Sequence, residues 1–264
     1  MTCEAKPVTD YTVTKTQLAW ECFGTFFLCY GTGLSVMQAD LGNLDLTGVG
    51  LANWLVLAFI IYAGAAISGA NYNAAVSLAL AASNHIGWVK CGFYCLAQFI
   101  GSLIAGIFLV IYRSQYTGDN DVFKSGLGFP HVATKHWSIG CALIMEMVAT
   151  FTLVMMVYMT AVNSTKPKTE WYGLAIGGAL GIACWTIGPM TGAGLNPWRC
   201  LGPAIVTGEL FSSDYSYAWI YYLGNSGAGL LTGFLWKFAC QVKDVAEPEG
   251  REDIEERLIE SNLN

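Results

Sequence analysis

The chain has 264 residues, of which 54% are hydrophobic and only 12% are charged, and its net charge is −6 at pH 7. This composition is too apolar for an ordinary soluble domain, and the acidic balance excludes a nucleic-acid-binding surface. The nine cysteines follow no metal-ligand spacing, and no pairing of nucleophile and base predicts an enzyme, so no cofactor or metal is expected. The expected solvent is therefore the lipid bilayer.

Six segments are apolar over about the twenty residues that a membrane-spanning helix requires. In chain order they are 18–38, 49–68, 88–112, 137–162, 171–187 and 218–238. Two shorter apolar stretches, 74–82 and 197–207, each follow an Asn directly. Because they are too short to span, we expect them to be re-entrant half-helices. The predicted fold is an all-α integral membrane protein with six transmembrane helices and two half-helices.

An even number of spans places both chain termini on the same side of the membrane. Lys and Arg are more frequent in the tails and in the loops on that side than in the opposite loops, which predicts cytoplasmic termini. The expected parts are a cytoplasmic tail at 1–17, a first pore repeat at 18–112, an extracellular loop at 113–136, a second pore repeat at 137–243 and an acidic cytoplasmic tail at 244–264. Both the plasma membrane and an intracellular membrane are compatible with this plan.

An internal repeat is the strongest signal in the sequence. The segment E-C-F-G-T-F-F-L from Glu21 returns as E-M-V-A-T-F-T-L from Glu146, and G-A-N-Y-N at 69–73 returns as G-A-G-L-N at 192–196. Each copy holds three spanning helices and one half-helix, and three is odd, so the two copies have opposite orientations in the membrane. The N-termini of the half-helices then meet near the midplane and form a polar site at the centre of a pore.

The loops S-G-A-N-Y-N-A-A-V at 68–76 and G-A-G-L-N-P-W-R at 192–199 resemble the paired Asn-Pro-Ala loops of the aquaporin (major intrinsic protein) family. The resemblance covers nearly the whole chain. It implies a homotetramer of passive channels that conduct water, with glycerol and urea as further candidate solutes, and that exclude ions and protons. The alternatives are a secondary transporter, which also uses inverted repeats, and a structural membrane protein with a closed pore.

Four residues are assigned to the centre of the pore. The amides of Asn73 and Asn196 are expected to donate hydrogen bonds to a passing solute, while the half-helix N-termini oppose cations. Ala74 stands where the family has Pro, and Trp198 stands where it has Ala. Ala74 leaves space and Trp198 adds bulk. The indole therefore either packs beside Ala74 or points away, toward neighbouring helices or lipid, and the sequence leaves both directions open.

A selectivity filter is predicted around Arg199, since a charge inside an apolar stretch is costly and usually lines a water-filled path. The family resemblance places Asn53, Cys184 and Ala193 beside it. Trp54 replaces Asn53 in this set if the second helix is rotated by one residue.

The solute preference of this filter is left open. Cys184 and Ala193 are smaller than the residues of strict water channels in the family, and they imply a wider opening. By the same resemblance, two other features favour water over glycerol: Cys200 directly after Arg199, and the aromatic pair Tyr221 and Tyr222.

Two carboxylates, Glu21 and Glu146, occupy equivalent places in apolar helices, where burial requires hydrogen-bond partners. We expect them to accept backbone N–H groups of the re-entrant loops and to act as structural braces. A proton relay would need titratable partners, and the histidines of the chain all lie in predicted loops.

Small residues predict close helix packing at two places. Gly173, Gly177 and Gly181 recur every fourth residue on one face of the fifth span, which favours close approach of a neighbouring helix. Gly101 and Gly224 are equivalent in the two repeats, and we expect them to mark a crossing of the third and sixth spans.

Overall fold

The structure is a computed structural model that describes residues 12–118, 122–123, 126–162 and 170–241. The predicted tail at 244–264, residues 1–11 of the predicted N-terminal tail and parts of the predicted extracellular loop lie outside the described residues. The regular structure of the described residues is helical throughout, without strands. The prediction of an all-α fold is confirmed.

The described residues form six long α-helices and three shorter ones. The long helices are α1 (Lys15–Asp40), α2 (Leu46–Gly64), α4 (Trp88–Gln115), α5 (Ile139–Val157), α6 (Tyr172–Thr186) and α9 (Asn225–Gln241). The half-helices are α3 (Ala74–Ala82) and α8 (Pro197–Val206), and a single turn, α7 (Gly188–Thr191), follows α6. π-helical turns at Tyr158–Val162 and Ile220–Gly224 extend α5 and precede α9. Both half-helices therefore lie at the predicted places.

Within the part of the chain that the structure describes, three helices are by themselves long and apolar enough to cross a membrane: Leu46–Gly64, Trp88–Gln115 and Ile139–Val162. The other long helices do not meet these requirements for length and apolar character. Helix α1 is long but less apolar, α6 has 15 residues, and α9 has 17 residues. Large apolar side chains such as Phe59, Leu223 and Phe238 are exposed on the outside of the bundle, as a surface in contact with lipid requires.

Polar side chains determine where several helices begin. Thr14 and Gln17 form a capping box at the start of α1, and Asp45 accepts the backbone N–H of Gly48 at the start of α2. Ser138 caps α5 in the same way. Each cap satisfies a backbone N–H that has no partner inside its own helix.

The helices pack as two interlocked copies of one motif. Helix α1 packs on α2 and α4, α5 packs on α6 and α9, and α2 meets α6 between the copies. Each half-helix packs on the third long helix of the other copy, α3 on α9 and α8 on α4. Equivalent glycines permit this approach: a Cβ on Gly229 would collide with the carbonyl oxygen of Ala75, and one on Gly106 would lie 3.0 Å from Cα of Pro203.

The predicted packing glycines have mixed outcomes. The stripe on α6 lies against α2 as expected, and a Cβ on Gly177 would collide with the α2 backbone. The predicted crossing at Gly101 and Gly224 is wrong. Gly101 lies against the backbone of Cys22 on α1, and Gly224 lies against Leu143 on α5. Equivalent glycines mark equivalent contacts within each repeat, so they do not have to meet each other.

Candidate functional site

The two loops before the half-helices share one unusual backbone conformation. The φ angles are 53° at Ala70 and 51° at Tyr72 in the first loop, and 48° at Ala193 and 51° at Leu195 in the second. Residues with a Cβ rarely adopt positive φ, and they keep it only where the surroundings hold the backbone in place. The repeat thus extends to individual backbone angles.

Glu21 holds the first loop from behind. Its Oε1 accepts the backbone N–H of Asn71 at 3.0 Å and the hydroxyl of Ser68 at 2.6 Å. Its Oε2 accepts the backbone N–H of Tyr72 at 2.8 Å and the Nε2 group of Gln98 at 2.7 Å. The carboxylate is fully buried, and these four donors replace the water that it would otherwise bind.

Glu146 holds the second loop in the same way. Its Oε1 accepts the backbone N–H of Gly194 at 2.9 Å and the hydroxyl of Thr191 at 2.6 Å, and its Oε2 accepts the backbone N–H of Leu195 at 3.0 Å. The expected hydrogen bonds between both carboxylates and the loop backbone are therefore present.

Asn73 and Asn196 cap their half-helices and also link the two loops. Each Oδ1 accepts the backbone N–H two residues further on, at 2.9 Å for Asn73 and 3.0 Å for Asn196. The Nδ2 of Asn73 donates to the carbonyl oxygen of Leu195, and the Nδ2 of Asn196 donates to that of Tyr72, both at 2.9 Å. An amide NH₂ group has two hydrogens, so each asparagine keeps one for a ligand.

A cavity of about 470 Å³ passes both asparagines. It extends from Arg199, in the first turn of α8, to His85 and Lys90, beyond the C-terminal end of α3. The loops contribute its polar lining, and α1, α2, α5 and α6 contribute apolar side chains such as Leu57 and Leu153. Burial lowers the pKa of His85, so this imidazole is neutral at pH 7. The cavity thus combines a polar strip with an apolar wall.

Arg199 is held in this lining by the backbone of its own loop. Its Nη1 donates to the carbonyl oxygen of Ala193 at 2.9 Å, and its Nε has no partner among the described residues. The residue as a whole is 3% exposed. Cys184 belongs to the same buried cluster as Ala193 and lies within electrostatic range of Arg199. The structure therefore brings Arg199 into contact with Ala193 and places Cys184 in the same buried cluster as Ala193, while only Arg199 of these three belongs to the lining of the cavity within the described residues.

Asn53, the fourth predicted filter residue, is buried on α2. Its Nδ2 donates to Ser35 Oγ at 3.1 Å and to the carbonyl oxygen of Val49 at 2.8 Å, while its Oδ1 has no partner among the described residues. Trp54 faces α6 instead, where its Nε1 donates to the carbonyl oxygen of Leu174 at 2.8 Å. This contact removes the alternative in which Trp54 occupies the filter.

The bulky Trp198 lies between a half-helix and a long helix. Its indole packs against the ring of Phe99 on α4, with ring centroids 5.1 Å apart. The sequence allows two directions for this side chain, and the indole takes the one toward a neighbouring helix and not the one beside Ala74. Ala74 is buried at the start of α3, and within the described residues neither Ala74 nor Trp198 belongs to the cavity lining.

Several polar residues of the site were not predicted. Ser68 and Thr191 donate to the two carboxylates, Gln98 donates to Glu21, and Asn71 lines the cavity. One signal was present in the sequence, since Ser68 and Thr191 are hydroxyl residues that precede the repeated Gly-Ala pair in both copies.

Comparison with known proteins agrees with this architecture. A family model described as Major intrinsic protein matches residues 8–236. Aquaporin NIP2-1 of Zea mays is 32% identical over 234 residues, which cover 86% of this chain and 74% of that relative. Aquaporin TIP2-3 of Arabidopsis thaliana is 34% identical over 218 residues, 80% of this chain and 81% of that relative.

A solved structure shares the fold. The X-ray structure of the aquaglyceroporin from Plasmodium falciparum superposes with a TM-score of 0.75 at 22% identity, covering 88% of this chain and 99% of that chain. The sequence match, the common fold and the paired Asn-capped half-helices agree with one another. The chain belongs to the major intrinsic protein (aquaporin) family, whose members are channels and not enzymes.

Proposed function

We propose that this chain is a passive channel for water and for neutral solutes of the size of glycerol or urea, and that it excludes ions and protons. The observation that carries the proposal is the cavity, in which a strip of loop carbonyl and amide groups faces an apolar wall beside a buried arginine. Such a strip replaces part of the hydration shell of a neutral solute, but because it lies on one side of the cavity it leaves most of the shell of an ion unreplaced.

Charge selectivity is assigned to the two half-helices and Arg199. The N-termini of α3 and α8 carry the positive ends of their helix dipoles, and both begin at the asparagines that line the cavity. The guanidinium of Arg199 adds a full positive charge at one end. Together they raise the energy of a cation or a hydronium ion inside the pore.

The width of the filter around Arg199 is assigned to Asn53, Cys184 and Ala193 by the family resemblance. Cys184 and Ala193 have small side chains, which leaves more room than bulkier residues would. We therefore propose that glycerol and urea pass as well as water. Asn73 and Asn196 form the solute-binding site at the centre of the pore, where each amide donates one N–H to the solute.

Glu21 and Glu146 are proposed as braces of the loops. Their oxygens already accept seven hydrogen bonds from the loops and from Gln98. A secondary transporter would need carboxylates that are free to bind a coupling ion near the midplane. Both groups are already bound to the loops, four times at Glu21 and three times at Glu146, which supports the channel over the transporter.

The proposal includes the orientation of the chain in the membrane and its oligomeric state. The excess of Lys and Arg in the tails and in the loops on their side supports cytoplasmic termini, with repeats at 18–112 and 137–243 joined by an extracellular loop. Family membership supports a homotetramer with one pore in each subunit.

Flux in proteoliposomes tests the proposal. Purified protein is reconstituted, and swelling is followed by stopped-flow light scattering in osmotic gradients of glycerol and urea. The expected result is faster flux than in protein-free vesicles, unchanged when ionophores collapse Na⁺ and H⁺ gradients. Flux that disappears with an ion gradient would instead identify a transporter, and the absence of flux would identify a closed pore.

A further inference from the structure

Asn71 has no counterpart in the second repeat, where Gly194 occupies the equivalent position. A side chain does not fit there. A Cβ on Gly194 would lie 2.8 Å from Cys200 Sγ, 2.8 Å from Tyr221 Cδ1 and 3.0 Å from an oxygen of Glu146. The second loop therefore presents only its backbone at this place.

The first repeat makes room for the side chain and binds it. Ser77 and Gln98 stand where the second repeat has Cys and Tyr. Gln98 Nε2 donates both to Glu21 at 2.7 Å and to Ser77 Oγ at 3.0 Å, and Asn71 Nδ2 donates to the same hydroxyl oxygen at 3.1 Å. A relay of buried groups thus runs from the carboxylate to Asn71 and fixes the plane of its amide.

The carbonyl oxygen of this amide is the part left for a ligand. Asn71 belongs to the lining of the cavity. Its Nδ2 is bound to Ser77, whereas its Oδ1 accepts no hydrogen bond from the described residues and is not enclosed by protein atoms. A carbonyl oxygen has two lone pairs that accept O–H or N–H groups.

We propose that Asn71 is a specificity-determining residue of this pore, with its side-chain carbonyl accepting a hydrogen bond from the solute and Ser77 acting as its positioning residue. The inference rests on the proposed channel function. It defines the solute class more closely: small neutral molecules that carry both an acceptor, for Asn73 and Asn196, and an O–H or N–H donor, for Asn71.

The test compares single-channel permeability for water and urea in the wild type and in Asn71→Leu, a change that keeps a side chain in place and removes the acceptor. Size-exclusion profiles and thermal unfolding in detergent verify folding, and the amount of reconstituted protein normalises the flux. The loss of one neutral hydrogen bond is expected to lower permeability roughly three- to tenfold and to raise the activation energy of flux. Permeability and activation energy equal to the wild type would overturn the inference.

A second variant separates hydrogen bonding from width. Asn71→Gly gives the first loop the residue that the second loop has and widens the cavity. A purely steric role for Asn71 predicts higher permeability in this variant, whereas loss of the acceptor predicts lower permeability. If Asn71→Leu does not fold, the permeability of Asn71→Gly alone decides between the steric role and the acceptor role.

Ser77 is tested by rescue. Ser77→Ala removes the group that holds the amide and is expected to lower permeability less than Asn71→Leu does, while Ser77→Thr keeps the hydroxyl and is expected to restore it. Wild-type flux in Ser77→Ala would overturn the positioning role. Absence of flux in the wild-type protein would overturn the proposed channel function. If the wild-type protein conducts and the Asn71 variants conduct equally well, only the role of Asn71 is overturned.

Discussion

The two re-entrant loops have the same scaffold but present different groups to the pore. Both have positive φ at equivalent residues, both are held by a buried carboxylate, and both end in an asparagine that caps a half-helix and bonds to the other loop. The groups facing the cavity differ. The first loop presents Asn71 and the neutral Val76, whereas the second presents Gly194 and the charged Arg199 at the equivalent places.

This comparison separates two kinds of residue. Residues equal in both repeats build the backbone: the glutamates, the hydroxyl residues and the asparagines. Residues that differ determine what each half of the pore does. In the proposed function, the second half carries the charge that excludes cations, and the first half carries an extra hydrogen-bond acceptor. Substitutions of the shared residues should therefore lower stability in both repeats, whereas substitutions of the residues that differ should change a different aspect of selectivity in each repeat.

The largest expected effect is on stability, when a brace is removed. Glu21→Ala removes the acceptor of four hydrogen bonds and Glu146→Ala removes the acceptor of three, and each buried donor that is left without a partner costs about 1–3 kcal/mol. We expect both variants to unfold at lower temperature in detergent, with the greater loss for Glu21→Ala. The exposed Glu170→Ala is the control. If one brace tolerated Ala without loss of stability, the shared scaffold would be refuted.

The next effect is on ion exclusion. Arg199→Val gives the second loop the residue of the first, and we expect proton and cation leak to rise roughly tenfold or more while water flux is kept. Unit charges about 4 Å apart interact by about 4 kcal/mol at an effective dielectric constant of 20, and each 1.36 kcal/mol changes a rate about tenfold. The leak is measured by dissipation of a pH gradient in proteoliposomes. Arg113→Val, outside the cavity lining, is the control, and equal leak in both variants would contradict this role.

The sequence predicted the backbone plan well, because that plan depends on patterns that the repeat doubles. The apolar runs after Asn73 and Asn196 determine both half-helices, and the paired glutamates predicted their own hydrogen bonds. The direction of Trp198 could not be read, because it depends on the space beside Phe99 on α4. Self-similarity of the sequence does not indicate Asn71, because this residue lies where the two repeats differ.

A smaller effect is expected from thiol reagents. Cys200 of the second repeat stands where the first has Ser77, and Cys184 lies near Arg199. We expect mercurials to inhibit flux slowly, because both thiols are buried. The double change Cys184→Ser, Cys200→Ser should abolish the inhibition, measured as the rate of swelling before and after treatment. Full inhibition of the double variant would place the reactive thiol elsewhere.

The smallest effect concerns the aromatic contact of the second half-helix. Ring pairs contribute about 0.5–1.5 kcal/mol beyond burial, so Trp198→Ala and Phe99→Ala should show a coupling of that size in a double-mutant cycle of thermal stability. Trp198→Ala and Ala74→Pro should instead be additive. Strong coupling between Trp198 and Ala74, without coupling to Phe99, would support the other packing direction.

The most direct test of the central claim is the temperature dependence of osmotic water permeability in proteoliposomes. In the proposed channel, the polar strip of the cavity lets water exchange hydrogen bonds as it moves, so the activation energy should be well below that of protein-free vesicles of the same lipid. It should rise in Asn71→Leu and stay low in Arg199→Val. An activation energy equal to that of the protein-free vesicles would contradict the account, because it would mean that water crosses the lipid and not the pore.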